Sequence, residues 1–213
     1  MPAAKLIYVM RHPVDRLISH YCHGWLERSI DVSIDTAIDR YPALIDYGRY
    51  AMQIAPWLDA FGPDAVLPVF FERLHRYPQT ELERICRFLG YRGTPIWRAD
   101  IEAQNVSGAR LRDSRWRDAI VYAPLVTQIR RKLIPQSVRD RIKRAWQMDG
   151  RPVLGATALA RVTAVFDADL AMLGKMLGTP LTCATFKTVV AGGPLVWAAP
   201  GGMSGGRTPM SAA

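Results

Sequence analysis

Apolar residues run along this chain in two rhythms. Lys5–Met10 (KLIYVM) and Val66–Phe71 (VLPVFF) are short blocks rich in branched and aromatic residues, and each predicts a buried strand. Pro68 inside the second block counts against a strand there, since proline favours sheet edges. Elsewhere the spacing is helical. Leu17, Ile18, Tyr21, Cys22, Trp25 and Leu26 recur on one face, predicting a helix from Pro13 to about Arg28. Residues 34–38 form a short helical piece or loop. Tyr50–Phe61 predicts a second amphipathic helix, stopped by Gly62-Pro63. Pro78 opens another, with Leu82, Ile85, Cys86 and Leu89 as its buried face and Gly90 as its cap. Basic helices follow at 122–133 and 137–146, and Ala158–Leu177 predicts a long amphipathic helix ended by Gly178.

The order strand, helix, helix, strand, helix and then helices predicts an α/β layered domain with parallel strands. Two strands make a poor sheet, because a parallel sheet wants more strands covered on both faces. Either strands are missed, or the piece expected to supply the rest is not among these residues. We expect one α/β domain over residues 1–190. The Gly- and Pro-rich residues 191–213 are expected to be a disordered tail.

At 213 residues with 49% hydrophobic and 22% charged residues, the chain matches one globular domain and argues against whole-chain disorder. It has no apolar run long enough for a transmembrane helix and no signal-peptide pattern. Cys22, Cys86 and Cys183 form neither a disulfide framework nor a zinc pattern, which suits a reducing cytoplasm. The outlier is a net charge of +9. Residues 105–151 hold twelve basic residues against four acids, a surplus of eight, so the remainder is nearly neutral. A basic segment on a neutral body implies an anionic partner, whether nucleic acid, an acidic membrane surface or a phosphorylated small molecule.

The most informative string follows the first strand: Arg11-His12-Pro13-Val14-Asp15-Arg16-Leu17-Ile18-Ser19-His20-Tyr21. The arginine ends a strand, where α/β sheets bind ligands. Its planar fork of donors suits a phosphate, and Ser19 adds a hydroxyl beside the positive end of a helix. This string resembles the 3′-phosphate-binding segment of sulfotransferases that use 3′-phosphoadenosine-5′-phosphosulfate. The resemblance implies that Arg11 and Ser19 hold the nucleotide's 3′-phosphate, while Arg16 and Tyr21 support the helix. His12 stands where that family commonly has Asp or Asn, a better helix cap. The likeness continues through Asp46–Tyr50, Trp57, Leu58 and Phe61, then Val66–Leu74, Ile85–Gly90, Asn105–Ser107 and the helix Phe166–Leu177. It covers about residues 4–182.

The resemblance implies a P-loop-NTPase-like parallel sheet flanked by helices. It implies sulfonate transfer from 3′-phosphoadenosine-5′-phosphosulfate to a hydroxyl or amine acceptor, without a metal. In that family a Gly-rich, Lys-containing loop cradles the 5′-phosphate, and a His or Glu base lies in the same N-terminal region. No such loop is found. Gly174-Lys175 is followed by Met176, and Lys187-Thr188 is preceded by Phe186. We therefore expect a C-terminal part of a sulfotransferase whose first strand–loop–helix is absent, with no turnover from these residues alone. No catalytic residue is assigned.

Other candidates have competing readings. His20, Cys22 and His23 fit a core cysteine between solvated histidines better than a metal site. Glu72 is either catalytic, a turn cap, or a partner of Arg73 or Arg76. Tyr47, Tyr50 and Trp57 either line an acceptor pocket or fill the core. Arg110 and Arg112 either add to the phosphate pocket or lie in a solvated loop. The alternative function is a non-enzymatic anion- or nucleic-acid-binding module built on the basic helices within 130–144. Against nucleic acid, the aromatic residues sit in apolar faces and are not interleaved with the arginines.

Overall fold

The computed structural model describes residues 4–100 and 151–198. Strand β1 (Leu6–Met10) leads into helix α1 (Pro13–Leu26). Helices α2 (Ile34–Arg40), α3 (Ala43–Asp46) and α4 (Tyr50–Phe61) follow, then a 3₁₀ turn (Pro63–Ala65) and strand β2 (Val66–Phe70). Phe71 does not extend β2. It begins α5 (Phe71–Arg76), which is followed by α6 (Pro78–Leu89). The last elements are α7 (Ala156–Met176) and α8 (Phe186–Gly192).

The two strands pair in parallel, from Leu6 opposite Val66 to Met10 opposite Phe70. Among the described residues the sheet has these two strands only. Every residue of β2 is buried, whereas Ile7 and Val9 on β1 are exposed. The carbonyl of Val66 accepts from the Trp197 indole at 2.7 Å, and that of Pro68 accepts from Arg84 at 2.7 Å.

Helix α7 ties the layers together because its buried positions recur at helical spacing. Leu170 and Leu173 pack with Met10, Ile54, Phe70 and Phe186. Val162 and Phe166 pack with Leu17, Ile34 and Ile38. Full burial of one such side chain stabilises by about 1.5–3 kcal/mol. Gly48 sits against the Phe166 ring, where a Cβ would come within 2.7 Å of Cε1. Asp169 is buried on the same helix. Its carboxylate accepts from the backbone N–H of Ala51 at 2.9 Å and of Met52 at 3.1 Å, capping the start of α4.

Helix α6 packs differently from the expected apolar face. Leu89 is 48% exposed and Leu82, Ile85 and Cys86 are half-buried, while Glu81 is fully buried. Glu81 accepts from Arg73 Nε at 2.6 Å and from Arg84 at 2.9 and 3.0 Å. This ionic trio turns the polar side of α6 toward β2 and α5. Gly90 caps the helix as expected, with φ +78°, a conformation that suits glycine.

The chain beyond residue 190 also differs from the expected tail. Helix α8 runs through Ala191 and Gly192, and Leu195 and Trp197 pack on the core. A large apolar ring with a donor for a free strand carbonyl outweighs the surrounding Gly and Pro residues. Residues 199–213, the basic helices expected within 122–146, Asn105–Ser107, Arg110 and Arg112 lie outside the described residues. No described helix is long and apolar enough to cross a membrane.

Candidate functional site

Strand β1 ends at Met10, so Arg11 leaves the sheet at its C-terminal edge. The backbone of Arg11 is bracketed by the buried Tyr50. The phenol donates to the Arg11 carbonyl at 2.6 Å and accepts from the Arg11 N–H at 3.1 Å. Burial pushes the Tyr50 phenol up to about 12. The next residue is fixed as well. The His12 N–H donates to Glu72 Oε1 at 2.7 Å, so Glu72 caps the entry to α1 and pairs with neither Arg73 nor Arg76. His12 accepts a long hydrogen bond of 3.4 Å from the Asp15 N–H through Nδ1. Its Nε2 lies 3.0 Å from the Cys183 carbonyl. The histidine thus caps the helix, weakly, and ties it to the segment before α8.

Helix α1 then brings Ser19 round to the same side as Arg11. Arg11, Arg16, Ser19, His20, His23 and Tyr47 line one cavity of about 390 Å³. The two residues picked from sequence therefore face a common space. Arg16, expected only to support the helix, lines it too, and Tyr47 reaches it from the end of α3. Tyr50 is core and Trp57 is exposed, stacked on Phe61, so neither lines the cavity. Cys22 is buried, and no metal-binding cluster occurs among the described residues.

The electrostatics suit an anion. The Arg11 guanidinium lies over the Phe71 ring at 4.9 Å, and that of Arg16 lies over Tyr47 at 5.3 Å. His20 stacks on Tyr47, with ring centres 5.3 Å apart. Burial, with repulsion from Arg16 and His23, holds the His20 imidazole below its ordinary pKa. Asp15, four residues from Arg11, is pulled away from the cavity by Lys187 at 2.6 Å and Arg151 at 2.7 Å. Burial alone would raise its pKa, but these cations and His12 outweigh it and hold the carboxyl below the usual range. Two arginine forks and a hydroxyl around one space fit a phosphate group.

Sequence reasoning missed Tyr50 as the anchor of Arg11, and it missed Asp169 and Gly48. Each acts through a partner far along the chain, and no local pattern marks it.

Parallel strands flanked by helices, with an arginine-lined cavity at the C-terminal end of β1, define an α/β class of protein. The sulfotransferase family profile matches residues 1–95. Cytosolic sulfotransferase 17 of Arabidopsis thaliana is 31% identical over 93 residues, covering 41% of this chain and 27% of that protein. Heparan sulfate glucosamine 3-O-sulfotransferase 3B1 of Mus musculus is 37% identical over 95 residues, covering 40% of this chain and 24% of the relative. The crystal structure of a sulfotransferase from Alicyclobacillus acidocaldarius superposes with a TM-score of 0.50 at 20% identity, covering 84% of this chain and 57% of that one. Residues 1–95 of the chain are thus similar to the sulfotransferase family, and its fold is similar to that of a sulfotransferase. The chain spans about a quarter of the length of these two curated relatives.

Proposed function

We propose that this protein works in sulfonate transfer from 3′-phosphoadenosine-5′-phosphosulfate to a hydroxyl or amine acceptor, and that Arg11 and Ser19 hold the donor's 3′-phosphate. In such a transfer the bond between sulfur and the bridging oxygen breaks and a bond from sulfur to the acceptor oxygen or nitrogen forms. The acceptor's proton leaves to a base, and the nucleotide bisphosphate is released. The observation that carries the reading is that Arg11 and Ser19 line one cavity at the end of a parallel strand. The similarity of residues 1–95 to the sulfotransferase family supports the reaction class, and the cationic lining supports the anionic donor. The described residues are assigned to nucleotide binding and to no proton transfer.

Calorimetric titration of the full chain with 3′-phosphoadenosine-5′-phosphate tests the site. Charge-assisted hydrogen bonds contribute about 1.5–3 kcal/mol, so Arg11→Ala is expected to weaken binding by about tenfold or more. Ser19→Ala is expected to weaken it less. Wild-type affinity in a folded Arg11→Ala chain would overturn the assignment.

A further inference from the structure

We infer that Arg16 is a second phosphate ligand and that the Arg11–Arg16 pair selects a phosphate monoester over a singly charged diester; this rests on the function proposed above. Arg16, Ser19, His20 and His23 stand at positions one, four, five and eight of a helical repeat, so α1 presents them on one side. That side lines the cavity which Arg11 enters from the strand end. The cavity thus receives guanidinium groups from two directions.

Neither guanidinium is neutralised by a carboxylate among the described residues. The acids around them are engaged elsewhere. Asp15 is held by Lys187 and Arg151, and Asp46 by Arg49 at 3.3 Å. Glu27 pairs with His23 at 3.1 Å, and Glu72 accepts from the His12 backbone through Oε1, while its buried Oε2 makes no hydrogen bond and forms no ion pair with either arginine. In place of acids, each arginine rests on an aromatic face: Phe71 for Arg11 and Tyr47 for Arg16. A ring holds a guanidinium flat without consuming its in-plane N–H donors, so both forks keep their charge and their hydrogen bonds for a ligand. His20 also stacks on Tyr47, the ring on which Arg16 rests.

Two fixed positive charges match a group carrying two negative ones. A phosphate monoester carries close to two negative charges at neutral pH, whereas a diester carries one. Were Arg16 only a helix support, its removal would weaken every ligand alike. As a ligand, it is needed most by the doubly charged group.

The test compares 3′-phosphoadenosine-5′-phosphate with its counterpart carrying a 2′,3′-cyclic phosphate, which has one charge at that position. Calorimetry on the full wild-type chain is expected to show a preference of about tenfold or more for the open monoester. Arg16→Gln is expected to lower affinity for the monoester by about 10- to 100-fold, to change that for the cyclic ligand far less, and so to collapse the ratio. Arg16→Lys keeps a point charge but loses the fork, and is expected to fall between them. Should Arg16→Gln lose its cooperative melt, the Arg16→Lys ratio decides. A ratio unchanged in a folded variant, or an equal loss for both ligands, overturns the inference. If Arg11→Ala abolishes binding while the Arg16 variants keep the ratio, the proposed function stands and this inference alone fails. Absence of binding by the folded wild-type chain refutes both.

Discussion

Replacing Tyr50 by Phe removes one oxygen atom from the core and leaves the ring in place. That oxygen donates to the Arg11 carbonyl at 2.6 Å and accepts from the Arg11 N–H at 3.1 Å. Its loss leaves a half-buried donor and acceptor unpaired at the entry to the site. Each net hydrogen bond contributes about 1 kcal/mol, so the variant is expected to be less stable by about 2 kcal/mol. With an urea slope near 2 kcal/mol per molar, the unfolding midpoint should fall by about 1 M. The alkaline limb gives an independent readout. Burial raises the Tyr50 phenol from 10.0 to about 12 in the folded chain, so folding favours its protonated form. The stability this contributes is complete below about pH 10 and is lost as pH rises through about 12. Tyr50→Phe should therefore show a shallower alkaline decline, with the remainder due to Tyr8, whose phenol is also raised by burial. A midpoint within about 0.2 M of wild type, or an unchanged alkaline limb, would refute the reasoning.

Other outcomes follow from the packing. Glu81→Gln should destabilise by about 3 kcal/mol or more in chemical denaturation, because Arg73 and Arg84 lose their shared buried partner. Gly48→Ala should cost about 1–3 kcal/mol, read as a lower melting temperature, since the added methyl meets the Phe166 ring at 2.7 Å. Asp169→Ala should lower stability by about 1–2 kcal/mol and loosen the start of α4, visible as faster amide exchange at Ala51 and Met52. His20 is held below its ordinary 6.5 in the fold, so its contribution is complete above that pH and is lost as pH falls through the lowered value. His20→Gln should flatten that acid limb of the stability profile.

Much of the framework was legible because it is written in short-range patterns. The strand blocks, the helices from Pro13 and Tyr50, and the glycine after Leu89 each declare themselves within a few turns of chain. Arg11 and Ser19 were legible for the same reason, since eight residues of strand end and helix bring them to one cavity. What failed to show was set by distant partners. Tyr50 reads as one more aromatic on an apolar stripe until its hydroxyl meets Arg11, just past a strand, 39 residues away. Asp169 reads as a solvent-facing acid in α7 until it meets the start of α4. The periodicity of α6 pointed to its apolar side, but a buried carboxylate shared by two arginines fixes the flank beside that side inward. Composition misled at the end of the chain, where Trp197 binds a strand carbonyl amid glycine and proline.

The carbonyls of Val66 and Pro68 are two residues apart, so they leave β2 on the same side, away from β1. One is closed by an indole and the other by a guanidinium, and Pro68 has no N–H to offer. That border of the sheet is sealed. Any strand that joins this sheet must therefore dock alongside β1, next to the strand whose end carries Arg11. Whatever group such a strand carried at its own C-terminal end would arrive beside the cavity that Arg11 and Ser19 line.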